Sequence, residues 1–204
     1  MFKSLPKAHV IIYIIYLVVW SIAAIDPKYP DDWLLENVLV FAMTPLVIWL
    51  DIKFRFTTTS MIFLLIFASC HSLGSHYTYA EMEYFNTITQ WFGFERNHYD
   101  RVVHFLFGLL LFHPIFELTT RMISSVKVAL LFTITLIISI ATIYEMIEWL
   151  AVLLFNPDLG MAFLGIQGDI WDAHKDTLGA IIGAIFNLLF YRYYERLMER
   201  NKNI

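Results

Sequence analysis

The sequence predicts an all-α, polytopic membrane bundle of about six transmembrane helices, built as a single domain with both termini in the cytoplasm. Three observations carry this prediction. The 204 residues are 59% hydrophobic and only 16% charged, with a mean hydropathy of +0.63. One aqueous core does not bury that much apolar surface, whereas a bundle walled by lipid does not need to. Six long apolar runs alternate with short polar connectors. Charge is sorted by connector: Lys3, Lys7, Lys53, Arg55, Arg121, Lys127, Arg192, Arg196, Arg200 and Lys202 fall on one side, and only Lys28, Arg96, Arg101 and Lys175 on the other. Fourteen of the 18 acids fall in, or at the membrane edge of, that second set. Cytoplasmic loops retain Lys and Arg, so the first set is read as cytoplasmic.

A membrane span needs roughly 20 apolar residues at ~1.5 Å each. The runs are 9–25, 33–50, 57–75, 101–118, 127–155 and 176–194. Lipid offers no partner to backbone N–H and C=O groups, so each run is expected to be a helix. None shows the period-two alternation of a barrel strand. Ser21-Ile22-Ala23 resembles a cleavage context, but the first run exceeds a signal-peptide core and five more follow, so it is expected to remain as a span. Pro45 and Pro114 predict kinks in the second and fourth spans. The fifth run is long enough to tilt or project. In the sixth, Gly179 and Gly183, with Ala180 and Ala184 beside them, form a small-residue packing face. From Tyr191 onward Arg, Tyr and Glu alternate, and the helix is expected to continue into water.

The two long outer connectors carry further expectations. Tyr77, Tyr79, Tyr84, Phe85, Trp91, Phe92, Phe94 and Tyr99 give 76–100 the aromatic character of the headgroup zone, with an interfacial helix near 80–91. Residues 156–175 are too apolar for a solvated loop and too short to span, which suits an interfacial or re-entrant segment. The single cysteine, Cys70, excludes an intramolecular disulfide and a thiolate metal site. No nucleic-acid motif is present, so the expected partners are the bilayer and a lipid or envelope-precursor ligand.

Ionisable groups inside or at the edges of spans are Glu36, His71, Asp100, His104, His113, Glu117, Glu145, Glu148, Asp169, Asp172 and Asp176. An intramembrane acid is costly unless paired, and so marks a functional site by default. The bland alternative is an acid bonded to hydroxyls that pins helices together. Helical spacing puts Asp100 with His104, and Asp172 with Asp176, on shared faces. Glu145 and Glu148 lie about 60° apart. His71, Asp100, His104, Glu145, Glu148, Asp172 and Asp176 therefore meet near one depth, in the outer third of the bilayer. Carboxylates with imidazole suit acid/base chemistry or a divalent metal such as Zn, Mn or Fe; His71, Asp100, His104, Glu148, Asp172 and Asp176 are the candidate ligands. Glu36 caps its span or joins the network. His113 reads as a structural histidine beside Pro114, Glu117 as snorkelling to inner water, and His174 as a surface residue. His76 and His98 lie within reach of the cluster.

The stretches "HSLGSHYTY", "NHYDRVVHFLFG", "YEMIEW" and "FLGIQGDIWDAHKDTLGAIIGA" resemble the YjdF family of bacterial inner-membrane proteins, from about residue 10 to residue 195. The later half is also similar to VanZ-like proteins. Asp100 and His104 match the acid and histidine that open one span there, and Glu145 matches the acid of an E-x-x-Q. Asp172, Gly179 and Gly183 match the opening of the last span. Glu148 stands in place of Gln, Asp176 in place of Asn, and no Arg occurs in 156–171. These departures make the site more acidic and set it apart from VanZ-type glycopeptide tolerance. The resemblance implies a bacterial cytoplasmic-membrane protein and supplies no reaction. Three roles compete: an outward-facing site acting on a lipid or envelope precursor, a structural or accessory membrane protein, and a transporter of protons, ions or small solutes. The inner half is expected to hold few polar groups besides His113, which counts against transport.

Overall fold

The computed structural model describes residues 4–155 and 167–202. Its helices are α1 (Lys7–Ala23), α2 (Pro30–Phe54), α3 (Thr58–Tyr77), α4 (Glu83–Phe92), α5 (Tyr99–Thr119), α6 (Val126–Phe155), α7 (Asp172–Phe186) and α8 (Tyr191–Lys202), with 3-10 turns at Tyr79–Glu81 and Asn187–Phe190. Among the described residues there is no strand. Four helices, α2, α3, α5 and α6, are long and apolar enough to cross a membrane, and α1 is a shorter apolar helix. Both proline-containing helices run on past Pro45 and Pro114. Most of the second outer connector, 156–166, lies outside the described residues.

The sixth span differs from expectation. α7 is only 15 residues long and gives way to a 3-10 turn of four. At ~1.5 Å and ~2.0 Å per residue the two together rise about 30 Å, the thickness of the hydrocarbon layer. Asn187 sits at the break: its Nδ2 donates to the carbonyls of Leu109 and Gly183, both at 3.1 Å, and its Oδ1 accepts from the Tyr194 hydroxyl at 2.5 Å. That last bond corrects the reading of α8 as a solvated extension. Tyr194, Leu197 and Met198 are buried against Phe112 and Phe116. Their spacing of three and four residues makes one apolar face, hidden in the sequence among the charged residues.

α5 is the central helix; α3, α6 and α7 pack around it and α1 packs on α3. The α5–α7 contact is the tightest. A Cβ added at Gly108 would collide with the Ala180 carbonyl, and one at Gly183 with the Phe105 carbonyl. Only glycine lets backbones approach this closely.

α2 attaches differently. Its buried residues are Asp32, Glu36, Asn37 and Asp51, all polar. Trp20 Nε1 donates to Asn37 Oδ1 at 2.7 Å and the Thr78 hydroxyl to Asp32 Oδ2 at 3.4 Å. Leu34, Val38 and Phe41 are exposed, as are Ile140, Ile143 and Ile147 of α6. Apolar side chains left outside the bundle are what lipid contacts. α4 forms a helix within the stretch where an interfacial one is expected, with Tyr84, Trp91 and Phe92 at least 69% exposed.

At the end of the bundle that carries most Lys and Arg, here the basic end, three buried polar groups are bonded. His9 Nδ1 lies 2.9 Å from Asp51 Oδ2, which also accepts from the Tyr13 hydroxyl at 3.2 Å. His113 bridges Ser60 Oγ at 2.8 Å and the Tyr193 hydroxyl at 2.7 Å. Glu117 is 3% exposed and accepts from the Thr57 backbone N–H at 3.0 Å and from the Thr57 hydroxyl. So Glu117 does not snorkel to water, and the basic half is richer in polar groups than expected. A carboxylate beside a helix N-terminus finds donors in Thr57 and stays inside.

Candidate functional site

At the opposite, acidic end the chain turns sharply after α3. Thr78 adopts a positive φ of 59°, a conformation that costs a side-chain-bearing residue energy. The turn brings Tyr79 back over α3, and its hydroxyl lies 2.5 Å from His71 Nδ1. Gly74 leaves room for the ring: a Cβ there would sit 2.6 Å from Tyr79 Cε1. Burial first, and then the charges of Glu36 and Asp100, hold the Tyr79 phenol well above its ordinary pKa. It is therefore a neutral hydroxyl, able to fix the His71 ring.

Two arginines form the rim. Arg96 Nη1 and Nη2 donate to the two Asp172 oxygens at 2.5 and 3.0 Å. Arg101 Nη2 donates to Asp169 Oδ2 at 2.6 Å and to Asp172 Oδ1 at 3.0 Å. Lys175 Nζ donates to Asp169 Oδ2 at 2.5 Å. The Lys175 bond, helped by the Trp171 N–H and by Arg101, keeps the Asp169 carboxyl well below the usual range. The Gln167 side chain is paired with the Asn97 backbone at 2.9 and 3.0 Å, tying the later part of the second outer connector to the end of the first. An open depression lined by Phe94, Arg96, His98, Gln167 and Asp169 lies over this rim.

Beneath the rim the expected residues come together. His104 Nε2 lies 3.6 Å from Asp100 Oδ1 and 3.3 Å from Glu145 Oε1. Glu36 accepts from the Tyr144 hydroxyl at 3.0 Å, so it joins the network. Glu148 has Glu145, Glu36 and Asp100 as electrostatic neighbours. Asp100, Asp172 and Asp176 each place an oxygen within 4.8 Å of the others, the spacing at which a cation could be shared. Asp172 already gives both oxygens to guanidinium groups. His71, His104 and Glu148 lie in the same cluster, outside that ligand set. Two buried carboxylate oxygens, Glu145 Oε1 and Asp176 Oδ1, have ion contacts, to His104 Nε2 at 3.3 Å and Arg101 Nε at 3.9 Å, in place of hydrogen bonds.

Other candidates fall elsewhere. His76 Nδ1 bonds to the Ala23 carbonyl at 3.0 Å and His98 sits at the start of α5, 3.5 Å from Arg101. His174 is exposed. Sequence reasoning missed the pairing of Arg96 and Arg101 with the last span. The signal was available: a basic residue in a connector that otherwise excludes them calls for an acidic partner. Tyr79, Tyr144 and Gly108 gave no such signal, since aromatics and glycines are common in spans.

This arrangement defines a polytopic helical membrane protein with a polar cluster at one membrane face. The chain belongs to the family described as "Predicted membrane protein (DUF2238)", whose profile matches residues 8–196. It is 31% identical over 173 residues to a protein named "Inner membrane protein YjdF" from Escherichia coli (strain K12), covering 82% of this chain and 81% of that one. No solved structure matches. The chain is thus an inner-membrane protein of the YjdF type.

Proposed function

We propose that the acidic end faces outward and that its cluster acts on a lipid, or on a lipid-linked envelope precursor, presented from the outer leaflet. Glu145, Glu148, Asp100, Asp176 and His104 are the groups that would handle protons or hold a divalent cation, and Asp172 with Arg96 and Arg101 would shape the entrance. One observation carries this reading. The buried polar groups of the basic end are bonded, as helix-pinning groups should be. At the acidic end Glu145 Oε1 and Asp176 Oδ1 are buried with ion contacts, to His104 Nε2 at 3.3 Å and Arg101 Nε at 3.9 Å, in place of hydrogen bonds. Groups that only hold a bundle together have no reason to be left so; groups that receive a ligand do.

A transport reading finds less support. His104 and His113 are nine residues apart on α5, about 13 Å, and 105–112 hold no ionisable side chain between them. The test is a lipid and precursor profile, by mass spectrometry, of cells lacking the protein and of cells given it back. A species that changes on deletion should be restored by the wild type but not by His104→Ala or Asp176→Asn, with both variants at normal abundance. Full restoration by both variants would contradict the proposal. Failure only through loss of the protein itself would favour the accessory role.

A further inference from the structure

The helices α2, α3, α5 and α6 form an open series: α2 packs on α3, α3 on α5, and α5 on α6. At the acidic end the series is closed by a hydrogen bond from the Tyr144 hydroxyl of α6 to Glu36 of α2. Below that bond, among the described residues, α2 and α6 do not pack along their lengths. Because α2 rests on α3 and α6 on α5, and not on each other, the geometry implies a furrow between them over the α3–α5 pair. Its floor follows from helix geometry. Phe67 lies one turn deeper than His71 on the same face of α3, and Phe107 one turn deeper than His104 on α5. Their rings meet at 5.6 Å, and both remain partly exposed. The furrow therefore has an aromatic floor and apolar flanks, and it ends at the acid and histidine cluster.

We infer that this furrow seats an acyl chain of one outer-leaflet aminophospholipid, whose ammonium group is held by the carboxylates beside the Glu36–Tyr144 bond. The inference rests on the outward-facing site proposed above and adds the route of entry and the headgroup. Depth supports the pose: the polar cluster lies where the headgroup of a lipid with its chain in the furrow must be. Charge supports the headgroup. Glu36, Asp100, Glu145, Glu148, Asp169, Asp172 and Asp176 supply acid groups, while the cations of this end are Lys28, engaged with Glu81, and Arg96, Arg101 and Lys175, engaged with Asp169 or Asp172. The surplus is acidic and lies on the furrow side, at Glu36, Glu145 and Glu148. An ammonium group offers three donors to such oxygens and a glycerol headgroup offers no charge. α2 is suited to admit a chain, because polar pins rather than apolar packing hold it.

The test uses the full protein in nanodiscs made from equal parts of ethanolamine and glycerol phospholipids, each with a photoreactive diazirine in the acyl chain. After irradiation, adducts are mapped by peptide mass spectrometry. Adducts should concentrate on 61–70 and 104–111, and there the ethanolamine lipid should exceed the glycerol lipid about tenfold, the ratio that one retained charge-assisted contact supplies. Phe107→Trp, which fills the floor, should reduce those adducts and leave labelling of α1 unchanged. Adducts no denser on the floor than on α1 would overturn the inference, and so would equal labelling by the two headgroups. The two proposals fail separately. An empty furrow with His104→Ala still unable to restore the lipid profile removes the furrow alone. A filled furrow with full restoration by His104→Ala removes the acting site and leaves a bound lipid.

Discussion

Asp172 accepts two parallel hydrogen bonds from Arg96, at 2.5 and 3.0 Å, across 76 residues of chain. The pair joins the connector before α5 to the first turn of α7, and both side chains are at least nine-tenths buried. Breaking a buried pair leaves an uncompensated charge, at a cost of about 3–5 kcal/mol. Asp172→Ala should therefore lower the melting temperature in detergent sharply. Arg96→Met combined with Asp172→Leu should recover part of the loss. Equal damage in single and double variants would show that the pair is not the cause.

The α5–α7 contact gives a graded prediction. Gly108→Val and Gly183→Val drive a side chain into a backbone carbonyl, and should cost at least the ~1–3 kcal/mol typical of overpacking. Gly179→Ala meets its nearest atom, the Arg101 carbonyl, at 3.3 Å, so a small shift accommodates it. Thermal melts should rank Gly179→Ala well above the other two. The reverse order would mean that the helices are not in this register.

The acidic end was largely legible in the sequence, because helical spacing and charge sorting both depend on local residue order. Asp100 with His104, and the depth shared with Glu145 and Asp176, followed from counting along helices whose ends were set by apolar runs. Tertiary partners were not legible. Nothing local says that Glu117 turns inward to Thr57, or that Asp51 meets His9 from 42 residues away. The break at Asn187 was hidden for the same reason: its partners Leu109 and Tyr194 become neighbours only after α5 and α8 have packed.

Tyr144→Phe removes a hydroxyl that joins α6 to Glu36 and leaves that carboxyl, 8% exposed, without this donor. The expected loss is about 1–3 kcal/mol. Adding Glu36→Leu should return stability by removing the stranded group. A melt unchanged by Tyr144→Phe would show that the bond carries no weight.

Asp169 gives a pH dependence with a definite sign. Its folded-state pKa is depressed, chiefly by Lys175. The unfolded chain then binds a proton more readily, so the stabilisation is complete above the unfolded value of ~4 and is lost as pH falls through the folded one. The gap in melting temperature between wild type and Asp169→Asn should stay constant from about pH 8 to about pH 5 and narrow below it. A gap that widens in acid would reverse the assignment.

The outward orientation of the acidic end is tested most directly by two cysteines in a Cys70→Ala background. Glu83→Cys lies on the exposed face of α4, and Arg192→Cys replaces a side chain 86% exposed at the basic end. In intact spheroplasts a membrane-impermeant maleimide should label the cysteine at 83, and the cysteine at 192 only after permeabilisation. Labelling of 192 alone in intact spheroplasts would place the acid and histidine cluster at the cytoplasmic face and contradict the account.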